Sequence, residues 1–183
     1  VALLPGSRQQ ELKKIIPLMT GVAAKMPDVQ FVVAAVGNLK QELYDDLKSL
    51  DNVKFVHDAA YDLLTIADAA IVTSGTATLE TALFRVPQVV VYKTSALTYW
   101  IAKLIIKVPF ISLVNLVANK EVVKEMIQQK ASVEEVSAAL ERIMNDGSYR
   151  ENMLNEYDSI IGILDTGSAS ENTAKLMLQY LKE

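Results

Sequence analysis

The chain has 183 residues, 51% of them hydrophobic, with a formal net charge of −4, no cysteine and a single histidine, His57. This composition excludes disulfides and thiolate metal centres and argues against a histidine-based metal site or a Ser-His triad. The acidic balance leaves no basic footprint for nucleic acid and weakens any whole-surface attraction to anionic lipid.

The N-terminal half reads as strands alternating with amphipathic helices. Val1–Leu4 is an apolar run that stops at Pro5. Leu12, Ile15, Ile16, Met19, Val22, Ala23 and Met26 then recur at helical spacing. Ser7 and Gln10 have capping-box spacing and place the helix start at the turn, while Pro17 predicts a kink or a split. Phe31–Val36 reads as a buried strand and Leu39, Leu43, Leu47 and Leu50 as the next helix. Val53–Val56 is a strand, Asp62–Ala67 a short helix, Ala69–Val72 a strand. "TSGTATLE" opens another helix, and Gln88–Tyr92 is a fifth strand. Strands this apolar are covered on both faces, as in parallel sheets. The expected fold is α/β, a Rossmann-like open parallel sheet with helices on both faces, followed by C-terminal helices. From Ser95 onward the pattern predicts mainly helices. Ser132 and Glu135 form a box before Val133–Met144, Gly147 acts as a stop, and helices follow over Tyr149–Leu164 and Glu171–Leu181, the last with a Ser168–Glu171 box. No linker or repeat interrupts the chain, so residues 1–183 are expected to form one domain. The first residue is Val1, within an apolar run, and the chain is read as part of a longer protein whose upstream portion is missing.

Two turns carry candidate chemistry. In an open parallel sheet, ligands bind beyond the carboxyl ends of strands. At "PGSR", Gly6 lets backbone approach an anion, Ser7 adds a hydroxyl, and Arg8 adds a planar fork suited to phosphate. At "TSGT", Thr73, Ser74, Gly75 and Thr76 repeat the design, and the pair suits a diphosphate. Neither turn is a G-x-G-x-x-G or P-loop fingerprint, and small polar residues also simply cap helices. Glu80, one helical turn after Thr76, either complements the helix dipole or accepts ribose hydroxyls. Tyr99–Val114, interrupted by Lys103 and Lys107, is too charged to span a membrane. It reads either as a core helix with a lysine edge or as an interfacial surface. "DTGS" at Asp165–Ser168 spells an aspartic-protease string, but it falls between predicted helices. Ser74 lacks the order of a nucleophile elbow.

"LLPGSRQQEL", "TSGTATLETAL", "PQVVVYK" and "FISLVNLVANKEVVKEMIQ", in that order, resemble the C-terminal half of the lipid-A-disaccharide synthase family, bacterial glycosyltransferases with two Rossmann-like lobes in the GT-B architecture. The resemblance spans essentially the whole chain. It implies transfer of diacylglucosamine from UDP-diacylglucosamine to lipid X, an acylated glucosamine phosphate, with UDP leaving, inversion at the anomeric centre, and no cofactor or metal. It also implies a cytoplasmic protein on the inner face of the bacterial inner membrane. This lobe would hold UDP, and the general base would come from the protein's own N-terminal lobe.

Carried over onto this sequence, Gly6, Ser7 and Arg8 face the diphosphate together with Ser74, Gly75 and Thr76. Glu80 takes the ribose, and Val56–Asp58, including His57, meets uracil. Asn115, Glu121 and Gln128 line the cleft, and Arg8 and Asn115 are the catalytic candidates. Val114 and Lys124 stand where the family usually has proline, which bears on the path of the Asn115–Gln128 loop. Tyr99–Val114 is the candidate for peripheral membrane contact. Helices after Ser148 would have apolar faces left bare without the other lobe, so a homodimer is a further expectation. The alternatives are another GT-B UDP-sugar enzyme, such as a lipid II-type transferase or a UDP-N-acetylglucosamine epimerase, or a non-catalytic nucleotide-binding module. The isolated chain is expected to bind UDP without turnover.

Overall fold

A computed structural model describes residues 1–95, 108–165, 167 and 169–181. Six parallel strands form one sheet in the order β3-β2-β1-β4-β5-β6. The strands are β1 (Ala2–Leu4), β2 (Phe31–Ala35), β3 (Val53–His57), β4 (Ala70–Thr73), β5 (Gln88–Tyr92) and β6 (Lys124–Ile127). The sixth strand, not among the five expected, lies within the mainly helical stretch beyond Ser95. It pairs with β5 in the register Val89↔Lys124 to Tyr92↔Ile127. It is a four-residue edge strand, and only Met126 in it is buried, so neither a long apolar run nor a clean alternation marks it.

Side chains alternate between two apolar layers, as the pleat requires. Leu3 and Ile71 face one cluster, while Ala2, Leu4, Ala70 and Val72 face the other. The first layer is the larger. It packs α1 (Gln9–Lys25), α2 (Asp45–Lys48, entered through a 3-10 turn over Gln41–Tyr44), α6 (Val133–Asn145) and α7 (Gly147–Leu164) on the sheet. The second layer is closed by Leu63 and Leu64 of α3 (Ala60–Ile66). Tyr157 of α7 is fully buried, its hydroxyl accepts from Gln88 Nε2 at 3.4 Å, and burial pushes its phenol upward.

Several local expectations change. α1 runs unbroken through Pro17, which lies on its exposed side, because seven buried side chains on the opposite face hold the helix in place. The Ser7–Gln10 box does not form. Arg8 occupies the N-cap, without a side-chain cap, and Ser7 is exposed. Ser132 does cap α6, accepting from Glu135 N at 3.2 Å. Gly147 starts a helix rather than stopping one. Asp146 is the N-cap of α7 and accepts from Tyr149 N at 3.0 Å. Most of Tyr99–Val114, and the Ser168–Glu171 box, lie outside the described residues. At the end of the former, Ser112 caps α5 (Leu113–Ala118) and Val114 is buried in the core. α8 (Ala169–Tyr180) leaves Leu176, Met177, Leu178 and Tyr180 exposed, whereas α7 buries Met153, Tyr157 and Ile160. No described helix is long and apolar enough to cross a membrane.

Candidate functional site

Strand order reverses where β1 meets β4. The chain winds outward from β1 to β2 and β3, then returns to β4 on the other side. A crevice opens beyond the carboxyl ends of strands at such a reversal. Here β1 delivers Gly6, Ser7 and Arg8 to it, and β4 delivers Ser74, Gly75 and Thr76. All six line one groove of about 440 Å³ with Glu80. The two turns, far apart in sequence, are therefore adjacent in space, because their strands are neighbours.

Gly6 has φ +100°, and an added Cβ would lie 2.7 Å from Glu11 Oε2. The backbone conformation favours glycine there, whereas the glutamate carboxylate, at the end of a flexible side chain, could move aside. Arg8, with its side chain 81% exposed, is held by Glu11, Nη1 donating to Oε1 at 2.9 Å. That ion pair is solvated, so a ligand anion can compete for it. Thr76 begins α4 (Thr76–Leu83), whose first N–H groups open toward the groove end of β4. Thr73, also lining the groove and 5% exposed, has a buried hydroxyl with no hydrogen-bond partner among the described residues.

Ser74 departs from its expected role. Its hydroxyl donates to the Ile111 carbonyl at 3.0 Å, so its proton is committed to protein rather than offered to a ligand. Ser74 N is likewise used, donating to Val91 O at 3.0 Å. The residue pins the turn in place and leaves anion contact to Gly75, Thr76 and Arg8.

Glu80 lies where two grooves meet. It lines the first and also a second of about 510 Å³, bounded by Ala34–Val36 at the end of β2 and Asp58–Asp62 after β3. His57 ends β3 opposite Ala35 and is exposed, but it lines neither groove. Its neighbour Asp58 does. Asp58 has φ +50° and its carboxylate accepts from Gly37 N at 3.1 Å, folding the loop back over β2.

Asn115 is not brought into the groove. It is fully buried, and all four hydrogen-bonding positions of its amide are taken. Nδ2 donates to Val123 O and to Glu125 Oε1, both at 2.9 Å, and Oδ1 accepts from Val122 N at 2.7 Å and Val123 N at 2.9 Å. Nothing remains with which to contact a substrate, so its place is structural, joining α5 to the approach to β6. Glu121 is exposed and paired with Lys124. Gln128 sits just past β6 at φ +53°, its Oε1 accepting from Thr94 N at 3.3 Å, and so holds the carboxyl ends of β5 and β6 together.

Glu125, which the sequence did not single out as a site residue, is the hub of this region. Its carboxylate accepts from Ile111 N, Ser112 N, Ser112 Oγ and Asn115 Nδ2 at 2.8–3.2 Å. Through Ile111, whose carbonyl receives Ser74, it fixes the chain beside the β4 turn. A lone glutamate on an edge strand gives no local sequence signal for such a role; the signal is long-range.

A family model described as Lipid-A-disaccharide synthetase matches residues 1–178. Lipid-A-disaccharide synthase of Syntrophus aciditrophicus (strain SB) is 37% identical over 190 residues, covering 100% of this chain and 50% of that protein. The synthase of Coxiella burnetii (strain Dugway 5J108-111) is 35% identical over 181 residues, covering 97% and 48%. The chain thus spans about half the length of the curated relatives it matches. Among solved structures, UDP-GlcNAc 2-epimerase from Neisseria meningitidis bound to UDP-GlcNAc aligns with a TM-score of 0.56 at 18% identity, over 97% of this chain and 44% of that one. The glycosyltransferase SnogD from Streptomyces nogalater aligns with a TM-score of 0.53 at 20% identity, over 97% and 41%. These structures agree in fold with the six-stranded Rossmann-like sheet. Sequence motifs, near-complete coverage and the switch-point groove converge on one conclusion: the chain belongs to the lipid-A-disaccharide synthase family.

Proposed function

We propose that this chain is the UDP-binding lobe of an inverting glycosyltransferase that moves diacylglucosamine from UDP-diacylglucosamine to lipid X. The observation that carries the reading is the convergence of the Gly6–Arg8 and Ser74–Thr76 turns on one groove at the β1/β4 switch point. The diphosphate lies in that groove, against Arg8 and the first N–H groups of α4. The ribose reaches Glu80, and the base enters the adjoining groove beside Asp58. Support comes from Glu80 bordering both grooves, as a ribose between phosphate and base would require.

Glycosyl transfer builds negative charge on the departing diphosphate. Donors fixed where that charge grows stabilise the transition state more than the ground state. The first N–H groups of α4 supply such preorganised dipoles, and Arg8 adds a cation that the developing charge draws from Glu11. The acceptor's proton leaves to a base outside this chain, in the N-terminal lobe of the full-length protein. The reading includes no cofactor or metal besides the nucleotide of the donor, and it places the full protein on the inner face of the inner membrane. The test is turnover. The full-length protein converts donor and lipid X to disaccharide and UDP, the chain alone does not, and Arg8→Ala abolishes turnover in the full-length protein. Disaccharide formed by the isolated chain would refute the division of labour.

A further inference from the structure

A groove of about 720 Å³ beside the diphosphate groove is lined by Arg8, Lys13, Lys14 and Lys93, with Glu11 and Tyr92. It runs between the first two turns of α1 and the carboxyl end of β5, and it shares Arg8 and Glu11 with the first groove. Four cations face a single carboxylate there, in a chain whose net charge is −4. Glu11 is already engaged by Arg8. Lys13, Lys14 and Lys93 have no ion-pair partner among the described residues, and they are the unpaired lysines gathered on one groove with Arg8. Unpaired like charges gathered from two elements repel one another unless an anion joins them.

We infer that this groove binds a second anion, a phosphate monoester, next to the diphosphate. A monoester carries nearly two charges at neutral pH and three terminal oxygens, enough for ammonium groups arriving from α1 and from β5. A carboxylate offers one charge and two oxygens and would leave one lysine unsatisfied. Two adjacent anions repel each other, and the lysines offset that repulsion so that both can be held together. That this phosphate belongs to the second substrate rests on the transferase reading; the binding itself does not.

The experiment is an amide-resolved NMR titration of the chain with glucose 1-phosphate, first alone and then after saturation with UDP. It is repeated on Lys14→Gln/Lys93→Gln and on the single variant Lys93→Glu, which keeps the test alive should the double variant fold poorly. The expected result is saturable shifts at Lys14, Lys93 and Thr94 that persist with UDP present. Affinity falls at least tenfold in either variant, while UDP affinity stays within twofold. A parallel sedimentation with vesicles of phosphatidylcholine and phosphatidic acid in equal parts separates the sources. Binding to glucose 1-phosphate without sedimentation assigns a substrate phosphate, and sedimentation lost in the variants assigns a lipid headgroup. Shifts confined to Ser7, Gly75 and Thr76 and reversed by UDP would overturn the inference, since only one anion site would then exist. Shifts unchanged in both variants would overturn it as well. If UDP fails to bind while glucose 1-phosphate still titrates Lys14 and Lys93, the transferase reading falls and this site stands.

Discussion

Replacing Asn115 with alanine removes the acceptor for two buried backbone donors, Val122 N and Val123 N, and the donor to Val123 O and Glu125. A buried polar group left unpaired costs about 1–3 kcal/mol, and the two orphaned N–H groups dominate. Alanine's better helix propensity in α5 returns at most roughly 0.7 kcal/mol. The net loss expected is therefore about 3 kcal/mol, a large fraction of a typical domain stability of about 5–15 kcal/mol. Urea unfolding followed by far-UV circular dichroism measures it, as a fall in midpoint at unchanged slope. Hydrogen exchange should quicken locally at Ile111 and Ser112, which share Glu125 with Asn115. A loss under about 1 kcal/mol would refute the reasoning, because four satisfied bonds cannot be removed so cheaply from a dry site. Unchanged stability with lost activity in the full-length protein would instead return Asn115 to the catalytic role that its burial denies.

Two further substitutions test the local readings. Pro17→Ala restores an N–H in the middle of α1 on an exposed position, and it should stabilise by roughly 2 kcal/mol, the proline penalty less the chain entropy regained in the unfolded state; a lower urea midpoint would contradict this. Asp146 is held below its ordinary carboxylate value by the Ser148 hydroxyl and the Tyr149 N–H. A lowered folded value means that its stabilising contribution is present above the unfolded value of 3.8 and is lost as pH falls through the folded one. Asp146→Ala should accordingly destabilise at neutral pH, with the difference from wild type shrinking in acid. A difference that grows in acid would reverse the assignment.

The sheet was legible because its first five strands are apolar runs separated by helix-period segments. The two candidate turns were legible because glycine and small hydroxyl residues follow a strand at each. What sequence could not supply was adjacency. Ser74 reads as a phosphate donor until Ile111, far along the chain, claims its hydroxyl. Asn115 reads as a cleft residue until the turn before β6 folds over it and consumes its amide. Glu125 and the edge strand β6 share one cause: their identity depends on partners ten or more residues away, which no local pattern encodes. Pro17 shows tertiary packing overriding a strong local rule, since the buried face of α1 holds the helix together across the missing bond.

The central claim is that the switch-point groove binds the nucleotide of a UDP-sugar. Calorimetric titration of the chain with UDP, with ADP, and of Glu80→Ala with UDP tests it most directly. The account predicts saturable binding of UDP, at least tenfold weaker binding of ADP, and a loss of roughly 10–100-fold in Glu80→Ala, the value of hydrogen bonds to a charged group. Equal affinity for ADP and UDP, or a Glu80→Ala variant that binds UDP like the wild type, would contradict it.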